Sequence, residues 1–406
     1  MDYIFNNIID DFTNIKNNIF MSPLLKNKGL FNLSIKNYGL KLRAFPNTKQ
    51  EAIIMQTLKD TCFVQNKTLE YNLFSYKQLG KTLTPKVTDL KNDFPWLALH
   101  KTTDSLALAN AQQNLRKAWD NFFENKMGFP KFKKSKYFYS YTTNNQHGSI
   151  RFEKIDNVDY LKLPKLGCVK INKHREMDGI IKTATVNFEN NICTISLCFE
   201  QLEFIPKIDT ITKDLFLGLD FSCKDFYVDS NGNLANYENY YTKNEKKLAK
   251  LQRQLSKKKK GSNNYNKLKA RINKLHKKIT NERMDFLHKL STQLVKEYKY
   301  ICVEDINLRG LSQTLKLGKS IMSKGFGMFR EFLKYKLDKV GGLLIVIDKW
   351  FASSKTCNCC GYKKTDLKLS ERSWLCPICN TKHNRDNNAA KNIRDEGYRV
   401  FLAELI

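Results

Sequence analysis

The sequence predicts a multi-domain α/β protein, and three observations carry the prediction. Strands, a helical block and further strands fill 37–204. From 215 onward apolar strands alternate with helices, the order of a mixed α/β sheet. Near the C-terminus two Cys-x-x-Cys pairs, Cys357/Cys360 and Cys376/Cys379, stand fifteen residues apart, a zinc spacing.

Residues 1–36 mix apolar and Asn-rich segments around Ser22-Pro23 and read as a short helical extension. In 37–50, Leu40, Leu42 and Ala44 alternate with Lys41 and Arg43, as on a half-buried strand. Pro46 ends it, and Thr48 can cap the helix that begins at Lys49. Over 51–126 the pattern is helical, with one apolar stripe through Ile54, Leu58 and Cys62 and another through Leu115, Trp119 and Phe122. Basic and aromatic residues then interleave over 127–146, including Lys131, Lys133 and Lys134. Such a mix can stack bases and neutralise phosphates, or form a solvated strand edge. Strands with turns at Pro164, Asp178-Gly179 and Asn190-Asn191 run to about 206, suggesting a small barrel or curled sheet.

The second half opens with LFLGLDFS and a strand closed at Asn231-Gly232. Residues 241–283 carry sixteen Lys/Arg against two acids. Leucine and isoleucine stripes on both sides of KKKKGSNN predict a helical hairpin with a cationic outer face. Its imbalance is too large for i,i+4 self-pairing, which favours phosphate contact by Lys257, Lys258, Lys259 and Lys260 over a merely solvated face. The strand YICVEDI, a helix over GFGMFREFLKYKLDK, the strand LLIVIDKW, the cysteine pairs and a helix from NRDNNAAKNI complete the chain.

Lys+Arg 70 against Asp+Glu 40 leaves a formal charge of +30 over 406 residues. So large an excess calls for a polyanionic partner. No apolar run approaches the ~20 residues of a membrane helix, so nucleic acid is preferred to a membrane. Asp2, Asp10 and Asp11 are unlike the basic start of a signal peptide. Eleven cysteines, five of them crowded together, fit a reducing compartment better than a disulfide framework. The expected location is cytoplasmic and nucleoid-associated, or nuclear in a eukaryotic host.

Four thiolates on two knuckles close a tetrahedral Zn²⁺ shell, which makes that ion structural, with Cys359 a bystander. Two acids interrupt apolar strands at their C-terminal ends, Asp220 in LFLGLD and Glu304 in YICVE. A carboxylate leaving water there needs a metal, a cation or a proton. Asp386 opens the last helix. If the three converge, their hard oxygens suit Mg²⁺ or Mn²⁺ and phosphodiester hydrolysis. Only a fold hypothesis brings them together.

The ordered motifs LKLRAFPNTKQ, AWDNFF, GFPKFKK, LPKLGCVKI, LGLDFSCKDFYVDSNG, KKKKGS, VEDINLRGL, GFGMFREFLKYK, SSKTC, WLCPIC and NRDNNAAKNI span roughly 38–395. This set resembles TnpB, the transposon-encoded RNA-guided endonuclease related to the type V CRISPR nucleases. The resemblance implies an N-terminal β-barrel wedge domain (37–50 and 127–206) split by a helical recognition domain (51–126). It further implies an RNase H-like RuvC nuclease domain (207–352 and 383–406) with an inserted zinc ribbon (353–382). By the same resemblance Asp220, Glu304 and Asp386 are the catalytic, Mg²⁺-holding acids. The resemblance also implies that segments Asp104–Asn110 and Thr142–Asn145, with Thr143, Asn144 and Asn145, correspond to those that read a short motif beside the target. The implied partners are a guide RNA from the transposon end and target double-stranded DNA, bound by a monomer. The alternative is a zinc-containing DNA- or RNA-binding regulator without cleavage. A DNA-joining transposase is disfavoured because no His-hydrophobic-His motif is apparent among the six histidines.

Overall fold

A computed structural model of the chain describes residues 31–135, 138–189, 191–206, 210–222, 224–305, 323–368 and 370–404. The fold has two units, one spanning Leu33–Glu203 and the other including Phe204–Ile406.

In the first unit, strand β1 (Phe31–Phe45) precedes four helices: α1 (Thr48–Leu79), α2 (Val87–Asp93), α3 (Pro95–Leu99) and α4 (Ser105–Phe123). The Asn47 side chain accepts from Gln50 N–H, and the Gln50 side chain accepts from Asn47 N–H, so a capping box starts α1 and Asn47, not the expected Thr48, is its cap. Gly80, at φ 67°, ends it in the left-handed region. Six strands follow: β2 (Ser140–Asn144), β3 (Arg151–Ile155), β4 (Val158–Leu163), β5 (Gly167–Asn172), β6 (Ile180–Glu189) and β7 (Ile192–Pro206). Their order with β1 is β2-β6-β7-β1-β5-β4-β3. The inward residues of the alternating strands, including Leu40, Leu42, Val169 and Ile195, share a core with Ile54 and Leu58 of α1.

Two expectations change here. Residues 31–36 belong to β1, not to a helical extension; the rest of that segment, 1–30, lies outside the described residues. No closed barrel forms among the described residues, because the end strands β2 and β3 do not pair with each other. Helix α4 packs against β2, and its Asn110 donates to Asn144 Oδ1 at 3.2 Å. At the other end β3 carries Arg151, Glu153 and Lys154, and charge is a standard way to blunt an edge.

The second unit is built on β8 (Phe216–Ser222), β9 (Phe226–Asp229), β10 (Tyr300–Glu304) and β11 (Leu343–Ile347), in the order β11-β10-β8-β9. β10 is parallel to both β8 and β11, and β9 is antiparallel to β8. The cationic hairpin is α5 (Tyr240–Ser256) and α6 (Asn263–Glu297), followed by α7 (Phe326–Lys339). Leu248 on one side and Ile272, Leu275 and Ile279 on the other zip the hairpin together. A strand alternates its side chains between faces. Leu217, Leu219, Ile301 and Val303 therefore pack on Leu287 and Leu294 of α6 and Phe329 and Leu333 of α7. Phe216, Tyr300 and Cys302 look the other way, toward Ile393 of the last helix, α8 (Arg385–Glu404). A two-stranded ribbon, β12 (Ser373–Leu375) and β13 (Lys382–Asn384), leads into α8.

Candidate active site and metal ribbon

Register and alternation together aim the acids. Tyr300 to Val303 pair one for one with Phe216 to Leu219. Asp220 and Glu304 are thus the next residues of two adjacent parallel strands, with the parity that faces α8. Helix α8 can lie this close because Gly218 has no side chain. A Cβ there would overlap the Ala390 carbonyl oxygen, and one at Gly397 would overlap Cys302 Sγ. The first turn of α8 carries Asp386. Asn384 starts that turn by accepting from the N–H groups of Asp386 and Asn387, each at 3.1 Å. Asn387 also donates to Asp229 O at 3.2 Å, tying α8 to the end of β9.

Asp220, Glu304 and Asp386 line one cleft of about 840 Å³ together with Lys224, Arg372 and Arg385. Burial raises the Asp220 carboxyl well above its usual range, and the nearby Glu304 and Asp386 raise it further against the opposing pull of Arg385. Burial also raises Glu304, and the hydrogen bond that the Ser353 hydroxyl donates to Oε1 opposes this only in part. Two of these acids are buried at their strand ends, and Asp220 lies near enough to the other two to feel their charge. Their all-oxygen donor set fits Mg²⁺ or Mn²⁺.

Beside this cleft the Sγ atoms of Cys357, Cys360, Cys376 and Cys379 lie within 4.8 Å of one another, a set able to hold zinc. Each knuckle makes the same backbone turn. Gly361 N donates to Cys357 O and Asn380 N to Cys376 O, and Gly361 (φ 78°) and Asn380 (φ 54°) are both left-handed. Hydrogen bonds from Thr381 pull the Cys379 thiol down to about 6, toward the thiolate a metal requires. No described cysteine is in a disulfide.

What fastens ribbon to helix was not legible as a motif. Buried Asn388 donates to Thr356 O at 2.7 Å. Buried Asn392 donates to Ser353 O and Thr356 O at 2.7 and 2.6 Å, and its own Oδ1 accepts from Asn358. The two asparagines stand at i and i+4 of NRDNNAAKNI, one face of the helix, which is the only trace of them in the sequence.

The expected nucleic-acid residues fall into two groups. Lys257–Lys260 are all exposed in the turn between α5 and α6. Lys131, Lys133 and Lys134 are exposed as well, in a loop held to α1 by paired hydrogen bonds between Asn66 and the Lys133 backbone. Phe129 and Phe132 stand in the same loop, 42% and 55% exposed. Thr143, by contrast, is buried on β2. Asn145 spends its side chain on Ile181 O and Ile150 N, and Asn144 accepts from Asn110.

The α/β fold that carries this acid cleft and four-cysteine ribbon is of the Cas12f1 class by its likeness to a solved structure. A Cas12f1 chain solved in complex with sgRNA and target DNA matches at TM-score 0.58 and 13% identity, covering 89% of this chain and 99% of that one. Residues 203–315 match the OrfB_IS605 family, described as "Probable transposase", and 326–393 match the Cas12f1-like TNB domain. A "Putative RNA-guided DNA endonuclease" of Streptomyces pristinaespiralis is 31% identical over 88% of this chain and 89% of its own length. InsQ of Escherichia coli K12, of the same description, is 31% identical over 75% and 77%. The chain belongs to the TnpB family of RNA-guided DNA endonucleases.

Proposed function

We propose that the chain is a divalent-metal-dependent, RNA-guided DNA endonuclease that cuts target double-stranded DNA beside a short flanking motif. The convergence of Asp220, Glu304 and Asp386 in one cleft carries this reading. The RNase H-like RuvC assignment of the second unit, and the wedge and recognition roles of the first, rest on the same family likeness.

In this reading the three carboxylates hold Mg²⁺ or Mn²⁺, which would supply an activated water and charge neutralisation at the scissile phosphate. Each residue has a task of its own. Ser353 fixes the rotamer of Glu304 and keeps one of its oxygens occupied. Asn384 holds the first turn of α8, and so Asp386, in place. Lys224, Arg372 and Arg385 give the cleft wall the positive charge a phosphodiester needs. Lys257–Lys260 and Lys131, Lys133 and Lys134 grip phosphates of guide RNA or target DNA, while Phe129 and Phe132 offer stacking faces. A part in motif reading for Thr143, Asn144 and Asn145 rests on the family likeness. Among the described residues no helix is long and apolar enough to cross a membrane.

The test is cleavage of a plasmid by protein co-produced with its guide RNA. Asp220→Ala should abolish cutting and leave RNA binding intact. Cutting that survives the substitution overturns the assignment, and a wild type that binds both nucleic acids but never cuts supports the regulator instead.

A further inference from the structure

The ribbon carries a second set of metal donors that overlaps the first. One Sγ each from Cys357 and Cys359 and one ring nitrogen of His383 all lie within 4.8 Å of one another. Cys357 Sγ is 3.0 Å from His383 Nε2. Cys357 is therefore common to both sets.

We propose that Cys357, Cys359 and His383 form a second zinc site on the ribbon, bridged to the four-cysteine site by the Cys357 thiolate.

The donors suit the ion. Two sulfurs and one imidazole nitrogen are a soft-to-borderline set that selects zinc over Mg²⁺. A thiolate keeps lone pairs after binding one metal, so Cys357 can serve two. The histidine is placed for this by the fold. His383 lies opposite Trp374 in the β12–β13 pairing, its ring sits 4.8 Å from the indole, and it is 7% exposed. Its imidazole is thus set at the edge of the cysteine cluster before any metal arrives. Cys359, exposed on the first knuckle, closes the set from the solvent side.

The two sites differ in kind. Four protein ligands close the first, whereas three leave the second with a position for water, so its ion exchanges more readily. Cys359, expected to be a bystander, becomes the residue that distinguishes a one-metal from a two-metal ribbon. The competing account is a hydrogen bond from His383 to Cys357 alone, in which Cys359 has no part.

Metal counting decides between them, whether or not the chain cleaves DNA. Full-length protein is stripped with chelator, reloaded with excess zinc, desalted and measured by elemental mass spectrometry. Wild type should hold two zinc ions per chain, and Cys359→Ser and His383→Gln one each. Cobalt titration should show two successive rises in thiolate charge-transfer absorbance in wild type and one in either variant. A saturated wild type with one ion per chain overturns the proposal, as does a Cys359→Ser protein that keeps two. Because Cys359 is exposed and outside the four-cysteine set, that variant decides the question even if His383→Gln disturbs the ribbon.

Discussion

Arg372 Nη1 of the ribbon stands 3.5 Å from Asp386 Oδ2 of helix α8. A side chain from one element thus serves as counter-ion to an acid of another, in the wall of the proposed nuclease cleft. A cation bound at the acids would displace the arginine, freeing its guanidinium for a phosphate. Arg372→Gln should therefore lower single-turnover cleavage by about 100-fold, the usual worth of one charge-stabilising donor. The same variant should reach half-maximal metal occupancy at lower Mn²⁺, since a competitor for Asp386 is gone. The side chain is 72% exposed, so the melting temperature should barely move. Unchanged cleavage would show that the pair is a surface contact and nothing more.

Gly218 is the second test, because backbone leaves it no room. Gly218→Ala sets a methyl against the Ala390 carbonyl, and α8 must lift from β8. We expect a loss of about 1–3 kcal/mol by chemical denaturation, together with a collapse of cleavage as Asp386 shifts. Gly327 is the control. A Cβ there meets nothing within 4 Å in helix α7, so Gly327→Ala should be neutral or stabilising.

A pH effect follows from His288. Its ring stacks on Phe332 with centroids 3.8 Å apart. Burial lowers its pKa below 6.5, Lys336 lowers it further, and Asp285 opposes them. The folded chain therefore resists protonating His288 while the unfolded chain does not. As pH falls through about 6.5, the unfolded state takes up the proton and stability is lost. Melting temperatures of wild type and His288→Gln, compared at pH 7.5 and 5.5, should show wild type losing more on acidification. Parallel losses would refute the linkage.

The cationic turn makes a prediction about salt. Replacing Lys257–Lys260 by alanine should weaken nucleic-acid binding and flatten its logarithmic salt dependence by about 0.7–0.9 for each phosphate no longer neutralised. Folding should persist, since the hairpin is held by Leu248, Ile272, Leu275 and Ile279. An unchanged slope would mean that these exposed lysines face solvent only.

The sequence showed what local pattern can show. Asp220 and Glu304 stood out because a charge at the end of an apolar strand is costly. The cysteine pairs stood out because a knuckle has a fixed spacing. Helix α1 was legible from its stripe. What stayed hidden depends on which element packs against which. Ser353 and Arg372 gain their roles only when the ribbon folds back on the cleft. Asn388 and Asn392 look like ordinary polar residues of an exposed helix until backbone carbonyls arrive to meet them. Strand alternation left a small barrel or a curled sheet open for a related reason, and the closed barrel that the family resemblance implied did not form among the described residues. Alternation reveals which residues of a strand face inward, but not whether the end strands β2 and β3 will pair with each other.

The one-to-one register of Tyr300–Val303 with Phe216–Leu219 works as a ruler. The chain between those strands can grow or shrink by whole turns of helix without moving either acid, because the ladder alone sets their separation. Inside the ladder there is no such tolerance: a single residue added to β10 would swing Glu304 to the opposite face and leave Asp220 facing α8 alone. Length variation among relatives should therefore crowd into the connections and spare these two short strands.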